Sequence, residues 1–373
     1  MSINLLEKNE IGIPSKLELI PKSQYRKVLR KYLSEDFLKP HINDVIRYSA
    51  CMLLYIAGTL LILKSDSLLT KAIISLTNGV LLASLTFFLH DLFHGSITRS
   101  KTIAHLFGIS IGVLNLFSPT FWKRVHNFHH AKTGDISDPD RSYISSEAPK
   151  TSLEKAIYKT RISDESLNPI VSMFLMSTGF FWYFFNTMFF GLSKYSNQLQ
   201  DKKYNKIKDL FKSQNEKNIV FFELFLIFGF QIILYTVICK NNFLNYLFAS
   251  VVPILIAHFI AMLYIHTNHF LSPLTGEVDD PLLNSLSINN GWFLDKIFSN
   301  FSHHVEHHLF PSMPSVHYPK VRKLLQELYP QRFQLISFTK AIKLLFSTPR
   351  IYGDSTHLVS TSGKIANCLL PTK

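Results

Sequence analysis

Three short histidine clusters are the part of this sequence best suited to do chemistry. The first has the spacing H-x-x-x-H, and the second and third both have the spacing H-x-x-H-H. Residues at i, i+3 and i+4 share one face of a helix, so each cluster can direct two or three imidazoles at one point. Neutral imidazole is the commonest metal-ligating side chain. The clusters are His90 and His94; His126, His129 and His130; and His304, His307 and His308.

Eight imidazoles exceed the four ligands of a tetrahedral zinc, so the clusters suit two transition-metal ions. A lone histidine in an apolar helix is usually packed or hydrogen-bonded, which is our interpretation of His105 and His258. The register of the third cluster stays open, because His303 and His307 also have the spacing H-x-x-x-H. We favour His304, His307 and His308, since that set repeats the spacing of the second cluster.

Composition points to a membrane protein. Hydrophobic residues make up 47% of the 373 residues, 32 of them phenylalanine, and they are bunched into long runs. The net charge of +13 comes without any nucleic-acid-binding motif, so no nucleic-acid partner is expected. Basic residues beside apolar runs are typical of the cytoplasmic flanks of membrane helices. The three cysteines form no C-x-x-C pair, which excludes a disulfide framework or a zinc ribbon.

Four apolar runs have nearly the length that a bilayer requires, roughly twenty residues. Residues 48–63 and 71–89 are separated by a short polar turn, and so are residues 219–239 and 243–265. We therefore predict an all-α integral membrane protein with four transmembrane helices in two hairpins. Interfacial or re-entrant helices and a cytosolic cap that carries the histidines complete this prediction.

If all three clusters serve one site, neither of two further apolar runs can be a single-pass transmembrane helix, because one crossing would put the clusters on opposite sides of the bilayer. Residues 102–121 must lie in the interface, or dip into the membrane and return. Residues 170–192 have the hydropathy of a span, but the loop 194–217 that follows is rich in lysine, which marks the cytoplasm. We predict that 170–192 lies off the membrane axis and that both termini and the histidines are cytoplasmic.

The remaining segments divide the chain into three parts. Residues 1–45 form a cytosolic segment whose helix, 23–33, lies on the membrane surface or forms a solvated cap. Residues 46–330 form the membrane domain, and residues 331–373 form a cytosolic tail. Short helices are expected at 319–328 and 339–346, and the last twenty residues are expected to be loose.

The order of the three clusters on paired hairpins resembles the membrane fatty acid desaturase family. Two segments match motifs typical of the family: His90-Asp91-Leu92-Phe93-His94-Gly95 and His307-His308-Leu309-Phe310-Pro311. The resemblance covers roughly residues 45–330. The family implies two iron ions, held by the eight histidines, and O2-dependent insertion of a double bond into a fatty acyl chain. It also implies a further ligand at the end of the last span. His269 is our first choice for that ligand, and His266 is the second.

Several features of this chain qualify what the family implies. The chain lacks a His-Pro-Gly-Gly motif, so electrons must come from a separate donor of the ferredoxin or cytochrome b5 type. Asp91 and Glu306 are candidates to orient ligand rings, and Asp138 and Asp140 can do so from a loop. On the favoured register, His303 has at most this supporting role.

Three functional interpretations remain. The first is desaturation of a fatty acyl lipid or thioester, in the bacterial inner membrane or the endoplasmic reticulum. Iron with O2 suits it, because an unactivated methylene is inert to acid–base or nucleophilic catalysis. The second is a related histidine-box hydroxylase or ketolase that acts on a lipid or carotenoid. The third, from a different class, is a membrane metal carrier, which needs ligands along a path through the bilayer.

Overall fold

The computed structural model describes residues 18–41, 43–138, 168–178, 210–211, 213–360 and 363–371, with the single residues 152 and 181. Helices predominate in these residues, and four of the described helices are long and apolar enough to cross a membrane. The predicted all-α membrane fold with four candidate spans is confirmed. The first span is Asn43–Lys64, the second Leu68–Phe93, the third Gln214–Ile238 and the fourth Phe243–His269.

The spans pair into two hairpins whose turns lie side by side. The second span begins where the Ser67 hydroxyl accepts the Thr70 N–H. The second hairpin reverses at Lys240 and Asn241, which adopt left-handed φ angles of 52° and 58°. Near the turns, the Ser75 hydroxyl donates to the Phe248 carbonyl at 2.7 Å. The second and fourth spans therefore run parallel from this end, and both end at histidines.

The second and fourth spans are the inner pair of helices. The most apolar stretches of these two spans are 61% and 56% buried, against 22% and 28% for the first and third. The outer spans expose large apolar side chains, such as Leu53 and Phe225, as a helix facing lipid does. The inner pair is thus the scaffold that holds the histidines.

Residues 101–132 form two helices, Lys101–Asn115 and Pro119–Lys132, that bend by 101° relative to each other. Leu116 ends the first helix with a left-handed φ of 59°. A Cβ on Gly112 would lie 2.6 Å from the Phe117 carbonyl oxygen, so only glycine permits this tight turn. The second helix of the pair brings His126 back beside the second span, with its Nε2 3.0 Å from that of His94. The interfacial or re-entrant placement of 102–121 stays a prediction.

One predicted segment is only partly described. Residues 170–178 belong to a short apolar helix, Pro169–Thr178. Most of 179–192 and most of the lysine-rich loop 194–217 lie outside the described residues. The off-axis placement of 170–192 stays a prediction.

The N-terminal helix packs on the histidine end of the spans rather than lying free. It runs over Lys22–Leu29, shorter than predicted, and buries Tyr25 and Leu29. The Arg26 guanidinium donates to the Leu309 carbonyl at 2.5 Å, so this helix contacts the helix of the third cluster. With the short helices after the fourth span it forms a cap over that end. Those helices are Pro281–Asn284, Trp292–Ile297, His304–Leu309, Tyr318–Leu328 and Phe338–Ser347.

Five short strands complete the cap. Strand β1, Ser287–Asn289, pairs in parallel with β2, Leu335–Ser337. This pairing connects residues 335–337, which lie beyond the predicted domain boundary at residue 330, with a strand that lies before that boundary. Strands β3, β4 and β5 form a separate antiparallel sheet in that order and cover Ile351–Tyr352, His357–Val359 and Ile365–Asn367.

The expectation that the last twenty residues are loose is wrong for their described part. Leu358 and Cys368 are buried in a small core with Leu274. The Leu369 N–H donates to the Leu271 carbonyl at 2.7 Å, and Tyr352 donates its hydroxyl to the Ser272 carbonyl at 2.7 Å. The sheet thus holds the loop that leaves the fourth span.

Candidate metal centre

Nine buried or half-buried histidines converge in two groups at the end of the inner spans. Within each group, every histidine offers a ring nitrogen that lies within 4.8 Å of the others. All eight histidines of the three clusters are included, and His269 is the ninth. The first group is His90, His94, His126, His130 and His307, and the second group is His129, His269, His304 and His308.

The second and third clusters each divide between the two groups. His126 and His130, four residues apart, enter the first group, whereas His129 between them enters the second. In the third cluster, the middle histidine, His307, belongs to the first group, whereas His304 and His308 belong to the second. Each of these two helices therefore reaches both groups, which ties the groups into one centre.

The helix of the second cluster is fixed at its start by the third span. Pro119 opens this helix, and the Ser118 hydroxyl accepts the Phe121 N–H at 3.1 Å. The buried Glu223 carboxylate accepts the Thr120 N–H at 3.1 Å and the Thr120 hydroxyl at 2.6 Å. It also accepts the Ser118 hydroxyl. A carboxylate at a helix N-terminus is favoured by the helix dipole as well.

The spacing of the ring nitrogens fits a metal ion. Two nitrogens each about 2.1 Å from one metal, at a right angle, lie about 3.0 Å apart. In the first group, the Nε2 of His126 lies 3.0 Å from that of His94 and 3.1 Å from that of His130. In the second group, the Nε2 of His304 lies 2.7 Å from that of His269 and 3.1 Å from that of His308.

Outer partners direct several of these nitrogens inward. The Nδ1 of His129 lies 2.8 Å from Asp138 Oδ1, and the Nδ1 of His90 lies 3.1 Å from Asp91 Oδ1. A carboxylate accepts the Nδ1 proton, so the Nε2 lone pair is left free for a metal. Among the described residues, the buried Nε2 of His90 has no hydrogen-bond partner, as expected of a metal-ligating atom.

Sequence reasoning missed a third outer partner, Tyr318. Its hydroxyl oxygen lies 2.9 Å from the Nδ1 of His307. The tyrosine is buried at the start of the helix Tyr318–Leu328. An apolar stripe marks that helix in the sequence, but nothing in the stripe distinguishes a core tyrosine from a ring partner.

Burial favours the neutral, metal-binding form of several of these histidines. It holds the pKa of His94, His307 and His308 well below the usual value, because an imidazolium loses its hydration there. Neighbouring histidines lower each of these pKa values further. At neutral pH these three rings are therefore unprotonated and can act as ligands.

Some predicted residues lie outside the two groups. His303 contacts the Ser302 hydroxyl at 3.1 Å through its Nδ1, and His266 stacks on Phe270 with ring centroids 4.3 Å apart.

Glu306, a candidate to orient a ligand ring, accepts hydrogen bonds from Arg322 Nε at 2.7 Å and from the Ser287 hydroxyl at 2.5 Å. Its charge is taken up by this buried ion pair. Asp140 lies outside the described residues.

Comparison with known proteins agrees with this site. Residues 67–339 match the family model described as fatty acid desaturase. The chain is 23% identical over 294 residues to the omega-6 fatty acid desaturase, endoplasmic reticulum isozyme 1, of Glycine max, over 77% of this chain and 73% of that protein. It is 23% identical over 271 residues to the Delta(12) fatty acid desaturase of Mortierella isabellina, over 67% of each chain.

A shorter match is 31% identical over 133 residues to the Delta 8-(E)-sphingolipid desaturase of Komagataella phaffii. It spans 35% of this chain and only 23% of that protein. The family match covers well over half of the present chain, so the chain belongs to the fatty acid desaturase family. It is thus a multi-pass membrane member of an oxidoreductase family, with two histidine groups that can hold metal.

Proposed function

We propose that this protein introduces a double bond into a fatty acyl chain with O2, using two iron ions held by the nine histidines. The observation that carries the proposal is the pair of convergent nitrogen groups at the end of the inner spans. His90, His94, His126, His130 and His307 would hold one iron, and His129, His269, His304 and His308 the other. Imidazole suits iron, and two convergent groups of imidazole nitrogens fit it.

When bound, the two irons would supply the O2 chemistry that removes hydrogen from an unactivated methylene. Loss of two hydrogens from the acyl chain, with two electrons and two protons from outside, reduces one O2 to two waters. The electrons come from a separate donor, of the ferredoxin or cytochrome b5 type. The substrate is a fatty acyl lipid or thioester, and the histidine end of the protein faces the cytoplasm.

The chain's own residues provide a dry, apolar approach to the two groups. The Phe301 ring centroid lies 4.9 Å from that of His90, in the first group, and 5.3 Å from that of His304, in the second. Phe87 of the second span stacks on Phe301 at 4.3 Å. These rings separate the histidines from the span interior, where they can exclude water and position an acyl chain.

The arrangement argues against a metal carrier. A carrier needs ligands along a path through the membrane, whereas both groups lie together at one end of the described spans. A hydroxylase or ketolase that acts on a lipid or carotenoid would use the same ligands. It differs only in the fate of the substrate after the first hydrogen is removed.

Expression in a host that lacks unsaturated lipids tests the proposal. We expect mono- or polyunsaturated acyl chains in aerated cells, none in anaerobic cells, and none with His94→Ala. Fatty acid analysis by gas chromatography and mass spectrometry reads out all three. A hydroxylated or keto product would favour the hydroxylase or ketolase reaction. Absence of any lipid product, together with bound zinc, would favour the carrier.

A further inference from the structure

A cleft of about 330 Å³ opens beside His94 of the first histidine group. Its wall combines the loop after the second span with both helices of the bent pair. Three cations line it: Arg99, Lys101 and Lys123. Among the described residues that line the cleft there is no aspartate or glutamate.

The charges in the cleft have no anionic partner among the described residues. None of its three cations forms an ion pair within the described part of the chain. The nearest described partner of Lys123 is the Phe93 ring, with the ammonium 5.4 Å from its centroid. Burial lowers the pKa of Lys123, and the nearby Lys101 lowers it further. Two ammonium groups that repel each other in a half-closed site favour a bound anion.

Polarity changes along the cleft. Of the residues that line it, Arg99 and Lys101 are exposed, Leu92 and Ala104 are buried and apolar, and His94 is half-buried. An amphiphile with an anionic head would match these two parts of the wall. His94 of the candidate metal centre lines the same cleft.

We propose that this cleft binds the phosphate ester of the acyl carrier that brings the substrate to the enzyme. The proposal rests on the proposed function, since a phospholipid, an acyl-CoA and the prosthetic group of a carrier protein all bear a phosphate ester. Arginine and lysine are the side chains that recognise phosphate. Arg99 and Lys101 contact the phosphate at the lip, and Lys123 contacts it from the bent pair.

The test is calorimetric titration of the full-length protein in an uncharged maltoside detergent, without turnover. The titrants are inorganic phosphate, dihexanoyl phosphatidylglycerol, decanoyl-CoA and, as the phosphate-free control, dihexanoylglycerol. The cleft variant combines Arg99→Gln, Lys101→Gln and Lys123→Gln. The control variant removes three cations from exposed sites elsewhere, with Lys323→Gln, Lys340→Gln and Lys343→Gln.

Each exposed charge contact changes affinity by roughly 1.4- to 5-fold, so the cleft variant should bind the acyl phosphate esters about tenfold more weakly. The control variant should bind them as the wild type does. The affinity for dihexanoylglycerol should be the same in all the proteins. The single change Lys123→Gln should give a partial loss, which protects the test if the triple variant is unstable. The tighter of the two acyl ligands identifies the source of the phosphate, and either choice supports the proposal.

Three results would overturn it. Equal losses in both triple variants would indicate a general effect of charge. A change for inorganic phosphate alone would indicate an adventitious anion only. Unchanged binding of both acyl ligands by the cleft variant would show that these cations do not hold the phosphate ester. Because no turnover is measured, a negative result here leaves the desaturation assay untouched, and a failed desaturation assay leaves the binding result standing.

Discussion

Asp138→Asn isolates the contribution of an outer partner to one histidine group. The Asp138 carboxylate is fully buried and lies 2.8 Å from the Nδ1 of His129. Asparagine has nearly the same shape but only a neutral amide oxygen to accept the ring proton. His129 therefore loses a charge-assisted hydrogen bond that fixes its tautomer and raises its basicity.

The size of the effect follows from the place of His129 in the structure. Loss of an outer partner typically weakens metal binding by about 10- to 100-fold, or about 1.4–2.7 kcal/mol. His129 is one of four histidines in the second group and belongs to the second group alone. We expect iron to leave that group first, so that the protein falls from two irons towards one under mild chelation.

Chelator competition followed by elemental analysis measures this loss. Asp135→Asn is the matched control, because that carboxylate accepts the Ser137 N–H at 2.7 Å and belongs to the same loop. The control should release iron as the wild type does. Equal iron release from wild type and Asp138→Asn would refute the assignment of Asp138 as the partner that orients His129.

Three further predictions concern the register, the scaffold and the topology. His303→Ala should keep two irons and measurable activity, whereas His304→Ala should be inactive and keep about one iron, because only His304 lies in a group; the reverse result would move the third cluster by one residue. Glu223→Ala leaves the Thr120 N–H without its acceptor and should lower the free energy of unfolding by about 1–3 kcal/mol in denaturation experiments; Glu216→Ala is the control, because that half-buried carboxylate of the same helix has only a long contact of 3.9 Å with Arg124, and equal stability of the two variants would contradict this role. Accessibility tags at both termini and in the 194–217 loop should report the cytoplasm, and tags near Asp66 or Asn241 the opposite side; an external 194–217 loop would contradict the shared site.

The sequence predicts the spans and the convergence of the histidines for simple reasons. Apolar runs of membrane length can be recognised without any tertiary information. Spacings of three and four residues place histidines on one helix face, whatever the helix packs against. The turn in 102–121 follows from requiring that His94 and His126 serve one site, and their Nε2 atoms lie 3.0 Å apart.

Other features depend on contacts between distant parts of the chain. His266 and His269 are both buried, because the fourth span is enclosed on most sides at its end, so hydropathy cannot choose between them. Glu306 forms an ion pair with Arg322, which lies sixteen residues further along the chain, and no local sequence pattern indicates this contact. The tail sheet forms because Tyr352 reaches Ser272, eighty residues earlier.

The central claim is that the two histidine groups hold two irons for O2 chemistry. Elemental analysis of purified, active wild-type protein tests it most directly. We expect about two irons per chain, one for each group, with O2 consumed only when a reductant and an acyl substrate are both present. A single bound zinc per chain without O2 consumption would contradict it.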